Sequence, residues 1–252
     1  MRPKRPTFAS EAELCRAFIR AVNERGGWSC YPETGGWDIL MVRTCDGMQV
    51  GIQAKLRLNA KVVSQALGHW LDDVTGPDFR AVLVPVAGAG GMSTICSRLG
   101  VTVITVTPPS PGAVRVPFSP WLPDNRWAWN DRYWHPWCPV KRVKLPGYIP
   151  DVTAGASAPR QLTDWKVKAI KLAILLEDRP VTRADFKALG LSPTRWTDRF
   201  HGWLVATPRG YVPTRRMPRF AKDHPVNYAQ IKADMPLWGK DLMPVTGMAR
   251  LL

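Results

Sequence analysis

The stretch WDILMVRTCDGMQVGIQAK, residues 37 to 55, constrains the fold most, because two β-like apolar runs are joined there by a hairpin-type turn. The first run is Ile39, Leu40, Met41 and Val42, and the second is Met48, Val50 and Ile52. Between them Cys45-Asp46-Gly47 supplies the Asp-Gly step that folds such runs back on each other. Side chains alternate along a strand, so Gln53 and Lys55 are predicted on one face, and the hairpin returns them to Asp38 at the mouth of the first run. A hard cation such as Mg²⁺ (or Mn²⁺) takes oxygen ligands and keeps several waters, so Asp38 and Gln53 are candidate ligands beside a phosphate. Lys55 would then orient an activated water or stabilise charge on the phosphoryl oxygens.

The formal charge of +15 and the pI near 10.1 favour a polyanionic partner, since neutralising phosphates releases counterions. Residues 1–107 hold 12 Lys/Arg against 9 Asp/Glu, leaving 23 against 11 in the rest, so the carboxy-terminal part is the expected docking surface. Five cysteines without a CxxC pair argue against a disulfide framework, and His135 with Cys138 lacks the second pair that a zinc site needs. The basic start MRPKRPTF is followed by no apolar run of signal or membrane-span length, so the expected setting is cytosolic, with no membrane.

Ser10-Glu11-Ala12-Glu13 reads as a capping box opening a helix to about Arg25, with Leu14, Ala17, Phe18, Ala21 and Val22 as its apolar stripe. Trp28 to Tyr31 is a short strand, and the hairpin adds two more. A helical stripe spans Lys61 to Asp73, carrying Gln65, His69 and Trp70. A turn at 75–77, a strand at 80–86, a glycine link at 88–91, a short helix at 92–99 and a strand at 101–106 complete an α/β sandwich with a mixed sheet. From 108 to 160 prolines and five tryptophans crowd together, which predicts an irregular connector packing its indoles between domains; stacking on unpaired bases is the other use of such a stretch.

The QxK triplet at a strand end, inside this element order, resembles the PD-(D/E)xK nuclease superfamily, in the variant with glutamine for the second acid as in Mrr-like restriction nucleases. Trp37 stands where that family usually has proline. The resemblance covers residues 10–107. It implies a restriction-endonuclease-like sandwich, Mg²⁺-dependent phosphodiester hydrolysis leaving a 5′-phosphate, and Asp38, Gln53 and Lys55 in the catalytic roles. It also implies an acid on the first helix facing the metal, a place Glu13 fills, although capping accounts for Glu13 equally well; Glu33 is the substitute. Gln65 corresponds to a glutamine whose amide touches the DNA backbone, or else faces solvent.

In the last third, Asp164 is predicted to cap a helix through Leu176 and Thr182 to cap a second over 183–189. Ser192-Pro193 then opens a third, carrying Thr194, Arg195, Trp196 and Arg199. Two β-like pieces, 203–206 and 211–212, follow with Arg209 between them. Three helices and a hairpin resemble a winged helix-turn-helix, an α+β domain assigned to 161–214. The resemblance implies that Thr194, Arg195 and Arg199 face the major groove and Arg209 sits on the wing. The tail, 215–252, shows little periodicity. The leading expectation is a metal-dependent DNA endonuclease. The alternatives are a nuclease-derived, non-cutting DNA-binding regulator or adaptor, and a subunit docking a protein partner, or a second copy, through the winged helix.

Overall fold

The computed structural model describes residues 7–68, 74–108, 117–123, 132–156, 161–198, 201–240 and 242. Two compact units divide the chain, Met1–Gln161 and Leu162–Leu252. The predicted α/β class with a mixed sheet is the class observed.

The first unit begins with α1 (Glu11–Arg25). The Ser10 side chain accepts the Glu13 N–H, so the predicted cap is formed, but Glu13 takes the Ala9 N–H at 2.7 Å, one residue before the cap, where a capping box would take that of Ser10. Three antiparallel strands follow, β1 (Trp28–Thr34), β2 (Trp37–Arg43) and β3 (Gln49–Ala54), with Leu40 opposite Gly51 and Ile39 opposite Ile52. Helix α2 (Ala60–Leu67) ends at Gly68 with φ +70, where the Arg80 guanidinium also takes the Leu67 carbonyl. The predicted extension of this helix over 69–73, with His69 and Trp70, lies outside the described residues. After β4 (Thr75–Gly76), strand β5 (Phe79–Pro85) pairs in parallel with β3. Helix α3 (Ser93–Arg98) then leads to β6 (Val101–Val106), parallel to β5. The predicted order of helices and strands is the order seen, with β4 a two-residue addition in the expected turn.

Alternation along the strands produces two cores. Ile39, Met41, Val50, Ile52, Leu83 and Ile104 meet Leu14, Phe18 and Val22 of α1 on one face. Leu40, Val82 and Val101 meet Val62, Val63 and Ala66 of α2 and Cys96 of α3 on the other. Each fully buried Leu, Ile or Val contributes about 1.5–3 kcal/mol, which is what holds the sheet between the helices. Trp37 belongs to the second core and lies over Gly51, where any Cβ would come within 2.5 Å of its indole.

Residues 108–160 are not a connector between two domains; their described part completes the first unit. β7 (Phe118–Ser119) extends the sheet beside β6, and its Phe118 meets Phe18 edge to face at 5.1 Å. β8 (Lys141–Arg142) pairs with β4. Trp134 is buried against Phe79 and donates to the Trp121 carbonyl, and Trp137 donates to the Gly100 carbonyl beneath the Arg80 guanidinium. The reason is solvation: a proline-broken chain cannot satisfy its polar groups within itself, so it takes partners from the sheet, as Val143 does with both ends of the Gln49 amide. Trp127 and Trp129 lie outside the described residues.

The second unit opens with α4 (Asp164–Asp178), capped by Thr163 rather than Asp164. Helix α5 (Arg183–Ala188) has the predicted Thr182 cap, closed into a box by Asp185, which Arg179 grips with two hydrogen bonds. The predicted third helix is replaced by a single 3₁₀ turn, Pro193–Arg195; Trp196, at its end, is only 1% exposed, and burying that indole takes the chain inward. Strands β9 (Leu204–Thr207) and β10 (Gly210–Pro213) form the expected hairpin. In the tail, α6 (Phe220–Asp223), α7 (Pro225–Ala233) and α8 (Met235–Trp238) follow. Tyr228 and Lys232 tie α7 to Glu177 of α4, so tertiary contacts, not an amphipathic stripe, hold it. No helix among the described residues is long and apolar enough to cross a membrane.

Candidate active site where β2 and β3 part

The ladder between β2 and β3 stops at Ile39 and Ile52, and the backbone beyond that pair needs other partners. Asp38 supplies one. Its Oδ2 accepts the Ala54 N–H at 2.7 Å, while Oδ1 takes no hydrogen bond among the described residues. Gln53, only 8% exposed, donates from Nε2 to the Gly36 carbonyl at 2.8 Å, which leaves the amide oxygen as its available ligand atom. Lys55 follows the end of β3, anchored by its N–H to the Leu83 carbonyl, and its Nζ meets Oε2 of Glu11 at 2.6 Å. Lys55 thus adjoins the Ala54 whose N–H Asp38 accepts, while Gln53 turns its amide to the Gly36 carbonyl.

The acid of α1 that faces Lys55 is Glu11. Glu13, the sequence candidate, is engaged in the cap. The grammar of the capping box held the signal: the box needs an acid at the third helical position, so the acid at the first is the one released for other work.

Glu33, the substitute acid named from the sequence, sits at the end of β1. It adopts φ +48, in the left-handed region that non-glycine residues avoid, is 7% exposed, and accepts the Gly155 N–H at 2.7 Å. Gly155 itself approaches α1 so closely that a Cβ would lie 3.1 Å from the Cys15 sulfur. Residues 154–156 therefore run along the start of α1, beside Glu11 and Glu33.

Charge binds the group together. Burial raises Asp38 above the usual carboxylate range, and the negative charge of Glu11 adds to this; the Ala54 N–H and the Lys55 ammonium oppose it. Burial pushes Glu33 up to about 7, with Asp38 adding to the rise. The Cys15 thiol is raised by burial and then by the negative charges of Asp38, Glu33 and Glu11, with Lys55 opposing. Among the described residues no three His, Cys, Asp or Glu side chains form a metal cage. Asp38 Oδ1 and the Gln53 oxygen are the atoms left available to a hard cation such as Mg²⁺, which takes oxygen ligands and keeps several waters.

The folded value of Glu33 lies above its ordinary 4.5, so the folded state holds this proton more tightly than the unfolded chain. Its contribution is most favourable at or below pH 4.5 and is lost as pH rises towards 7. Glu33→Gln is expected to raise the melting temperature at pH 8 and to flatten the decline between pH 5 and 8, followed by circular dichroism. Parallel pH curves for variant and wild type would show that the buried carboxyl does not titrate there.

The other sequence candidates lie elsewhere. Gln65 is exposed on α2; Thr194 and Arg195 are exposed on the 3₁₀ turn, and Arg209 on the β9–β10 turn; Arg199 lies outside the described residues. No protein-family model, curated protein or solved structure matches this chain.

Proposed function

We propose that the chain is a metal-dependent DNA endonuclease that hydrolyses phosphodiester bonds in its first unit and grips DNA with its second. The observation that carries this reading is the Asp38 carboxylate bonded to the Ala54 N–H, one residue before Lys55, at the point where β2 and β3 part. Asp38 Oδ1 and the Gln53 oxygen would hold Mg²⁺ (or Mn²⁺) against the scissile phosphate. Bound there, the ion supplies Lewis-acid polarisation and a more acidic water. Lys55, positioned by Glu11, directs its ammonium to the attacking water or to the phosphoryl oxygens as their charge grows. In the second unit, the exposed Thr194, Arg195 and Arg209, on the 3₁₀ turn and the hairpin, give it a cationic surface suited to duplex phosphates.

A specific observation favours the second reading, a nuclease-derived fold that binds DNA without cutting: Lys55 is already ion-paired and the protein donors are few. Supercoiled plasmid incubated with the full chain and Mg²⁺ or Mn²⁺, beside an EDTA control, separates the two. Conversion to nicked or linear DNA, abolished by EDTA, is expected. Salt-sensitive binding with no cleavage in either metal would replace the endonuclease by the regulator.

A further inference from the structure

The β9–β10 hairpin decides which of its backbone groups face outward. Paired residues of an antiparallel hairpin alternate between bonded and non-bonded pairs. The Thr214 N–H donates to the Trp203 carbonyl at 2.8 Å, so Trp203/Thr214 and, two residues on, Val205/Val212 are bonded pairs. The groups of Leu204 and Ala206 on one strand, and of Tyr211 on the other, therefore point away from the hairpin. Tyr211 is satisfied by both backbone groups of Val181, and the Leu204 N–H by the Trp196 carbonyl. The Leu204 carbonyl and both backbone groups of Ala206 face out along β9 with no partner among the described residues.

A groove of ≈ 470 Å³ takes Leu204, Val205 and Ala206 of this strand into its lining. Val205, 50% exposed, gives it an apolar wall, and the exposed Arg215 and Arg216 also line it. Asp198, the one acid among the lining residues, accepts the His201 N–H at 2.6 Å.

We infer that the outer edge of β9 takes up an extended acidic segment of a partner protein as an added strand. The edge asks for an occupant that both donates to carbonyls and accepts from an N–H, which a polypeptide backbone does. A nucleic-acid phosphate only accepts, so it leaves the Leu204 and Ala206 carbonyls unmet. The apolar wall takes side chains on one face of the added strand, and Arg215 and Arg216 call for carboxylates. A second copy pairing edge to edge would crowd two arginine pairs together, which like-charge repulsion opposes. This site is independent of the endonuclease reading and stands or falls without it.

The probe is a short fluorescein-labelled peptide of alternating valine and glutamate, titrated with the full chain by fluorescence anisotropy. Saturable binding is expected, weakened roughly tenfold or more when the edge-facing amides of the peptide are N-methylated, a change that keeps its charge and side chains and needs no protein variant. Ala206→Pro, which deletes only an outward N–H at an edge position that tolerates proline, is expected to weaken binding similarly with an unchanged melting temperature. The Arg215→Ala/Arg216→Ala double variant is expected to weaken it further. No binding, equal binding of the N-methylated peptide, or equal binding of a valine–lysine peptide would overturn the proposal. So would a dimer dissociated by Ala206→Pro in sedimentation, or duplex DNA binding that falls with Ala206→Pro as peptide binding does.

Discussion

Replacing Lys55 by alanine is expected to lower the plasmid-nicking rate by about 10²–10³-fold, the cost of removing one preorganised charge from a phosphoryl-transfer site. The fold should survive. The Lys55–Glu11 pair is partly solvent-exposed, with side chains 28% and 29% accessible, and such a pair is worth about 1 kcal/mol or less. A melting temperature within a few degrees of wild type, beside a collapsed rate, therefore separates chemistry from structure. The variant also removes the cation that holds Asp38 down, so any residual activity should shift to higher pH as Asp38 rises further. Lys55→Arg should recover only part of the rate, because a planar fork does not reproduce a compact ammonium beside Glu11. Cleavage by Lys55→Ala at the wild-type rate would sink the catalytic assignment.

Trp196→Ala is expected to destabilise the second unit by about 3–5 kcal/mol, the usual cost of emptying a core indole site. Trp196 packs edge to face against Phe186 at 5.7 Å and Trp203 at 5.2 Å, with Trp165 tilted beside it at 5.8 Å. Its carbonyl also receives the Leu204 N–H, so the same residue fastens the 3₁₀ turn to the hairpin. At roughly 0.05–0.15 kcal/mol per residue, a unit of this size holds about 5–14 kcal/mol, so the variant removes a large share of it. Calorimetry of the full chain should show one transition moved down by tens of degrees and the other unchanged. A shift of only a few degrees would mean that the aromatic cluster is not the core of that unit.

The first unit was legible where local and tertiary demands agree. Alternating apolar runs, an Asp-Gly turn and a capping box each specify one arrangement, and α1 through β6 follow the predicted order. In the second unit the caps at Thr182 and near Asp164 were readable for the same reason. Ser192-Pro193 misled because proline at a first helical position opens a 3₁₀ turn as readily as a long helix. The next residues settle which, and here Trp196 turned inward. The tail hid three helices because their stabilising contacts, such as those of Tyr228 and Lys232 with Glu177, are distant in sequence.

At the site the division is similar. That Asp38 meets the end of β3 just before Lys55 was readable because a hairpin ties them within a short span of chain. Glu11 was obscured by Glu13, which satisfies the same composition signal. Glu33 owes its environment to Gly155, some hundred and twenty residues on, and no local pattern announces that contact.

By itself, then, the amino-acid order determined whatever rests on short-range periodicity: the α/β class, the hairpin carrying Asp38 and Lys55, and the concentration of positive charge after residue 107. Tertiary structure alone decided which acid meets Lys55, that the tryptophan-rich stretch completes a sheet, and which edge of the β9–β10 hairpin stays open. Backbone polar groups and buried charges must find partners, and those partners come from chain segments whose approach no local spacing encodes.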